Sequence, residues 1–141
     1  MAWGGNTSGQ TKVPVGLKTV SQVAGGLDHS LALKKDGTVV AWGGNTYGQS
    51  SVPSTAVGMK QVSAGNQFSL AVKIDGTVFG WGRNENNVYI VPAEFSDIYT
   101  VAAGYANTIL GLRSGRVIVL GDQTNDVGVS RTPTKTATPT P

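Results

Sequence analysis

The sequence predicts an all-β fold of sheets repeated radially or along a solenoid, and three observations predict it. Trp3, Trp42, Trp81 and Leu120 recur at a constant spacing of 39 residues, with Gly4, Gly43, Gly82 and Gly121 in the same phase. Periodicity of this length is the signature of one supersecondary unit copied along a chain. Apolar residues alternate or run in short β-branched blocks, and no ten-residue stretch free of Gly and Pro shows a 3.6-residue period. Finally, each copy carries a turn signal between two strand-like runs: Asp36-Gly37, Asp75-Gly76 and Ser114-Gly115.

Each unit opens on a short strand of small residues, VSQVAGG, QVSAG or YTVAAG. Their Ala and Gly let neighbouring copies crowd around a common axis, so these are the expected innermost strands. A hairpin follows in LALKKDGTVVAWG, FSLAVKIDGTVFGWG and ILGLRSGRVIVLG. The Asp-Gly step predicts a two-residue type I′ turn, with positive φ at both central residues. Behind it, GGNTYGQSSVP breaks the strand with Gly and Asn, and Pro53 brings no N–H to a ladder. Each unit is thus expected to hold three good strands and a weak outer fourth.

Trp42 and Trp81 end the third strand, where they are expected to bury their rings between adjacent sheets. Together with Trp3, Leu120, His29 and Phe68 they form the predicted structural core. Leu120 replaces the ring in the last copy, and the Gly-Gln step of GNTYGQ is lost there. Terminal repeats are commonly atypical because one side lacks an identical neighbour. The expected division is a three-repeat segment over residues 1–130 and a Thr/Pro-rich linker or disordered tail over 131–141, where TPTKTATPTP cannot pack a core.

Composition narrows the function classes. The chain of 141 residues is within the range of one domain, and its 20 Gly and low charge suit a sheet-rich object. No apolar run approaches the roughly 20 residues that span a bilayer. The opening MAWGGNTSGQ lacks the basic and apolar regions of a signal peptide. With no Cys, there are neither disulfides nor thiolate metal sites. The net charge of +3 comes from scattered Lys and Arg, with only Lys34 and Lys35 adjacent, so no nucleic-acid partner is expected.

Nor does any motif carry catalysis, and no cofactor or metal is expected. Asp28-His29-Ser30 names a catalytic trio, but successive strand residues point to opposite faces and do not converge. Asp122, Thr124 and Asp126 are spaced like calcium ligands, yet Gly128 falls one place late and Pro133 stands where a bidentate Glu belongs. GGNTYG leads into no helix, so it cradles no phosphate. What remains is a surface of loops. Columns that change between copies are free to specify a partner: Leu27, Asn66 and Tyr105, then Asp28, Gln67 and Ala106, and at the outer loop Tyr47, Asn86 and Asn125. The candidate partner-binding residues are therefore Leu27, Asp28, Asn66, Gln67, Tyr105, Tyr47 and Asn86.

The unit VSQVAGGLDHSLALKKDGTVVAWGGNTYGQ closely resembles the regulator of chromosome condensation repeat, with its Val-Ala-Ala-Gly, His-Ser-Leu-Ala-Leu, Asp-Gly and Trp-Gly-x-Asn-x-x-Gly-Gln order. The likeness covers about residues 1–130 and decays where ANTILGL replaces HSLAL and RNENNVY replaces GNTYGQ. This resemblance implies β-propeller blades, about three in this chain, forming a partial ring or half of a closed dimeric propeller. It also implies a non-enzymatic protein-interaction module whose protein partner is of unknown identity. Within the family, one branch catalyses nucleotide exchange on a GTPase, and others are secreted inhibitors of β-lactamases. Two copies pairing head to tail would give a six-bladed ring, with the strand around Ala2 and Trp3 completing the partner's last blade. The Thr/Pro tail is similar to spacers of exported bacterial surface domains, so an extracellular or cell-surface place is expected, with the cytoplasm open as the alternative.

Overall fold

The β-branched blocks fold into antiparallel three-stranded meanders, one per repeat. In the computed structural model, which describes residues 1–121 and the short strand Thr136–Ala137, the first sheet holds β1 (Val20–Gly25), β2 (His29–Lys34) and β3 (Val39–Gly43). The second holds β4 (Met59–Ala64), β5 (Phe68–Lys73) and β6 (Val78–Gly82), and the third β7 (Ile98–Ala103), β8 (Asn107–Leu112) and β9 (Val117–Gly121). A two-residue strand, β10 (Thr136–Ala137), pairs with β9 opposite Ile118 and Val117. Among the described residues there is no α-helix, only a 3-10 turn at Glu85–Asn87. The segment after β3 forms turns instead of a fourth strand. β1, β4 and β7 lie side by side as the innermost strands.

The hairpins turn differently from the two-residue type expected. Gly37 N donates to Lys34 O and Lys34 N to Thr38 O, both at 2.9 Å, and Gly37 alone in the turn has positive φ, at 85°. This is a type I turn closed by a left-handed Gly, the longer hairpin loop with a bulge. The second and third hairpins repeat it through Gly76 and Gly115. Asp stays in ordinary conformation, its carboxylate used otherwise: Asp36 Oδ1 accepts from Thr38 N at 3.0 Å, and Asp75 Oδ1 from Thr77 N at 2.9 Å. The hydroxyls of Thr38 and Thr77, and after them these N–H bonds, hold both carboxyls below their usual pKa.

Strand register gives each sheet two distinct faces. Val62, Ala71 and Phe79 share one face of the second sheet and pack on the first; Leu70 and Val72 point the other way, toward the third. Leu31, Leu33, Met59, Val62 and Trp81 make the core between sheets one and two, and Phe68, Leu70, Val101, Leu110 and Leu120 that between sheets two and three. Burying each such side chain stabilises by about 1.5–3 kcal/mol.

Polar links follow the same repeat. Ser69 Oγ and Trp81 Nε1 both donate to Gln49 O, at 2.7 and 2.9 Å, just as Ser30 Oγ and Trp42 Nε1 donate to Gln10 O, each at 2.8 Å. Between inner strands the Gln61 carboxamide imitates a ladder: Nε2 donates to Val101 O at 2.9 Å and Oε1 accepts from Val101 N at 3.1 Å. Gln22 Oε1 likewise accepts from Val62 N at 2.8 Å. These bonds use backbone groups of strands that face one another across separate sheets, which would otherwise need water.

Trp3 departs from the core expected of it. Its side chain is 85% exposed, because the first sheet starts only at Val20 and, among the described residues, no strand backs the ring. Trp81, Leu120, His29 and Phe68 are buried, and Trp42 is half-buried under the Gln10 carbonyl. Around Ala2 and Trp3 the backbone forms no strand.

Candidate functional site

The loops joining β1 to β2, β4 to β5 and β7 to β8 emerge at one end of the sheets. Their closeness has a steric cause in the column Gly26, Gly65 and Gly104. A Cβ on Gly65 would stand 2.7 Å from Gly104 O and 2.2 Å from the Phe68 ring, and one on Gly26 2.6 Å from Gly65 O. Only glycine lets successive loops nest in this way. Leu27 N reaches Gly65 O and Asn66 O, each at 3.3 Å, which ties the first loop to the second.

This nesting lines up Leu27, Asn66 and Tyr105 along a shallow groove, with Leu27 and Tyr105 exposed. Beside it, between sheets two and three, lies a pocket of about 120 Å³. Phe68 and Val88 are buried at the pocket and apolar; Asn66, Gln67, Arg83 and Tyr105 also line it. Arg83 is the organising side chain. Its Nη1 donates to Gln67 Oε1 at 2.8 Å, Nη2 donates to Glu85 Oε1, and the guanidinium lies 4.7 Å from the centre of the Tyr47 ring. Its Nε and Asn66 Oδ1 are both buried without a hydrogen-bond partner.

Of the residues proposed from the sequence, Asn66, Gln67, Tyr105 and Asn86 thus meet at one pocket, Tyr47 braces it through Arg83, and Leu27 extends it along the groove. Asp28 stands apart: its Oδ1 accepts from Gln49 Nε2 at 3.1 Å and is spent inside the fold. Arg83 and Val88 were not singled out in the sequence. The signal was there, since both stand in outer-loop columns that change, Arg83 where the previous copy has Gly44 and Val88 where it has Gln49. Asn125, the calcium-like Asp122, Thr124 and Asp126, and the domain boundary near residue 130 lie outside the described residues.

His29 has a serine after all, but in the next sheet. Its Nε2 is 2.9 Å from Ser69 Oγ, and its Nδ1 is 3.6 Å from Asp28 Oδ1, beyond hydrogen-bond distance. The series Asp28, His29, Ser69 resembles a relay, but Ser69 is fully buried and gives its proton to Gln49 O. A nucleophile must reach substrate, and this hydroxyl instead holds two sheets together. Burial lowers the His29 pKa, only partly opposed by Asp28, so the ring is neutral and donates through Nε2. Among the described residues, no group of three His, Cys, Asp or Glu could hold a metal ion, and no helix is long and apolar enough to cross a membrane.

Meander sheets repeated about their inner strands, with glycine-nested loops at one end, define a β-propeller repeat protein. Residues 20–49 and 59–87 match the Regulator of chromosome condensation (RCC1) repeat. Solved structures give the same fold. Yeast RCC1 (Prp20), solved with Kap60 bound to it, superposes with a TM-score of 0.71 at 22% identity over 94% of this chain and 43% of that one. Prp20p from Saccharomyces cerevisiae, studied with its binding to Gsp1p and histones, gives 0.66 at 22% identity over 84% and 34%, and human WBSCR16 gives 0.68 at 25% over 81% and 37%. The chain spans less than half the length of these neighbours. No curated protein matches it significantly.

Proposed function

We propose that this chain is a non-enzymatic protein-binding module that presents its loop face to a protein partner. One observation carries the reading: exposed Leu27, Tyr105 and Tyr47 gather with the Arg83 pocket at the same end of the sheets. Exposed aromatic side chains beside a fixed arginine are the composition of interface hot spots. That yeast Prp20 was solved with Kap60 bound agrees with such a role for the fold. A photo-crosslinking residue at position 105 should capture the partner while one at position 75, in the hairpin turn, should not. Equal capture at both would remove the loop face from the proposal. Within this reading, binding of a bacterial secreted hydrolase such as a β-lactamase predicts inhibition in a hydrolase panel, and nucleotide exchange predicts accelerated release from a GTPase; no feature of the pocket favours the second.

A second surface supports self-association. Val23 is 70% exposed whereas its equivalents Val62 and Val101 are 2% and 3% exposed, and Ile109 is 41% exposed whereas Leu31 and Leu70 are fully buried. The first sheet thus shows the half-interface that the third sheet is ready to receive, which suits head-to-tail pairing of copies. An exported or cell-surface setting rests on the Thr/Pro tail alone, and fractionation of the source cells tests it.

A further inference from the structure

We infer that Thr100 sets the strength of pairing between copies of this chain: it stands where a glutamine would clasp the main chain of the next copy's first sheet, and so keeps that contact looser than the equivalent contacts inside the chain. The inference rests on the head-to-tail reading of self-association and adds the residue that regulates it.

Inside the chain the clasp is made twice. Gln22 and Gln61 share one column of the inner strands, and each reaches forward to a valine peptide of the following sheet. Gln22 Oε1 accepts from Val62 N at 2.8 Å, and the Gln61 carboxamide bonds both N and O of Val101. Val23 is the same valine in the first sheet. It pairs with Ala32 in the register that joins Val62 to Ala71, so by the repeat its open edge faces whatever stacks there, and at 70% exposure that edge is reachable.

The third member of the glutamine column is Thr100. Its hydroxyl ends two bonds short of where glutamine carries its carboxamide, and it turns back, donating to Gln61 Oε1 at 3.0 Å. Its neighbour on β8 has changed with it. Gly111 pairs with Thr100 where Val72 pairs with Gln61, and a Cβ on Gly111 would lie 2.8 Å from the Thr100 methyl carbon. Sheet three therefore offers a second copy its exposed Ile109 but no carboxamide in that column. Stacking there takes the Val23 peptide out of water, as Val62 and Val101 already are, without the clasp that replaces water at those two positions.

Sedimentation equilibrium of the whole chain over a concentration series tests this with wild type, Thr100→Gln, and Thr100→Gln combined with Gly111→Val, which copies the second repeat's pair. Glutamine is compatible with the column, since Gln61 already follows Gln22 in it. Both glutamine variants should associate about tenfold more tightly than wild type. Thr100→Leu, of similar bulk but without hydrogen-bonding groups, should not match them, and adding Val23→Asp should abolish the gain. Circular dichroism melts confirm that the compared variants are folded. Association no tighter than wild type in both glutamine variants, equal tightening by leucine, or a gain that survives Val23→Asp would each overturn the inference. Whether copies pair at all is read from wild type alone, and whether Thr100 limits the pairing from the variants relative to it, which keeps the two failures apart.

Discussion

A single hydroxyl column shows how much one residue can depend on its neighbours in the next sheet. Ser69 Oγ accepts from His29 Nε2 and donates to Gln49 O, whereas its equivalent Thr108 has a buried Oγ1 with no partner. The cause is the column ahead: Phe68 stands where His29 does, and a phenyl ring has no N–H to give. Ser69→Ala should therefore cost about 1–3 kcal/mol by orphaning a buried imidazole N–H, while Thr108→Val should be neutral or stabilising; urea unfolding of the two variants measures the contrast. His29 also sets a pH dependence. Its folded pKa lies below the unfolded value near 6.5, so the unfolded chain binds the proton first and stability falls as pH drops below about 6.5. His29→Phe, which copies the second repeat, should flatten that part of the profile; an unchanged slope would assign it to other groups. The sequence made His29 legible as a packed residue, since its column changes to Phe68 and Asn107. Its Ser69 bond, made 40 residues away, was not, because a contact across sheets leaves no local pattern.

Elements in this chain are specified by their turns as much as by their strands. Gly76 has φ of 90°, and a Cβ there would stand 2.8 Å from Ser96 O. Gly76→Ala should thus destabilise by at least about 1–2 kcal/mol through left-handed strain alone, with the clash added. Gly48, also at positive φ but with nothing within 4 Å of a Cβ, should lose only the strain; thermal melts of both alanine variants separate the two costs. The three meanders and their order were readable because period-two blocks and Gly columns repeat in phase. The turn type was not, since Asp-Gly supports either hairpin. In the first hairpin Asp36 accepts from Thr38 N and positive φ falls on Gly37 alone, but Ser114-Gly115 makes the same turn without a carboxylate, so the feature common to all three is the left-handed Gly. In the site, likewise, changing columns pointed to Asn66, Gln67, Tyr105 and Asn86, but their convergence on Arg83 needed the glycine-nested loops to bring sheets two and three together.

At the scale of the molecule, a stack of identical sheets has two different ends, and each end is half of the interface repeated inside it. Val62 lies in the same core as Leu31, and Val101 in the same core as Leu70; Val23 and Ile109 are the unsatisfied members of those two columns. A second copy paired head to tail would bring Val23 to Ile109 in the geometry the chain already uses twice. Sedimentation at micromolar concentration should therefore show dimers of this chain, and Val23→Asp or Ile109→Asp should each return it to monomer by placing a charge in an apolar contact. The two variants also separate head-to-tail pairing from an isologous contact. A Val23→Asp copy keeps a sound Ile109 end, and an Ile109→Asp copy keeps a sound Val23 end, so mixing them restores one intact interface and a measurable heterodimer. In an isologous contact every pairing of the mixture still carries a charge into the interface, and no rescue appears. Wild-type chain that sediments only as monomer would leave both ends to some other occupant.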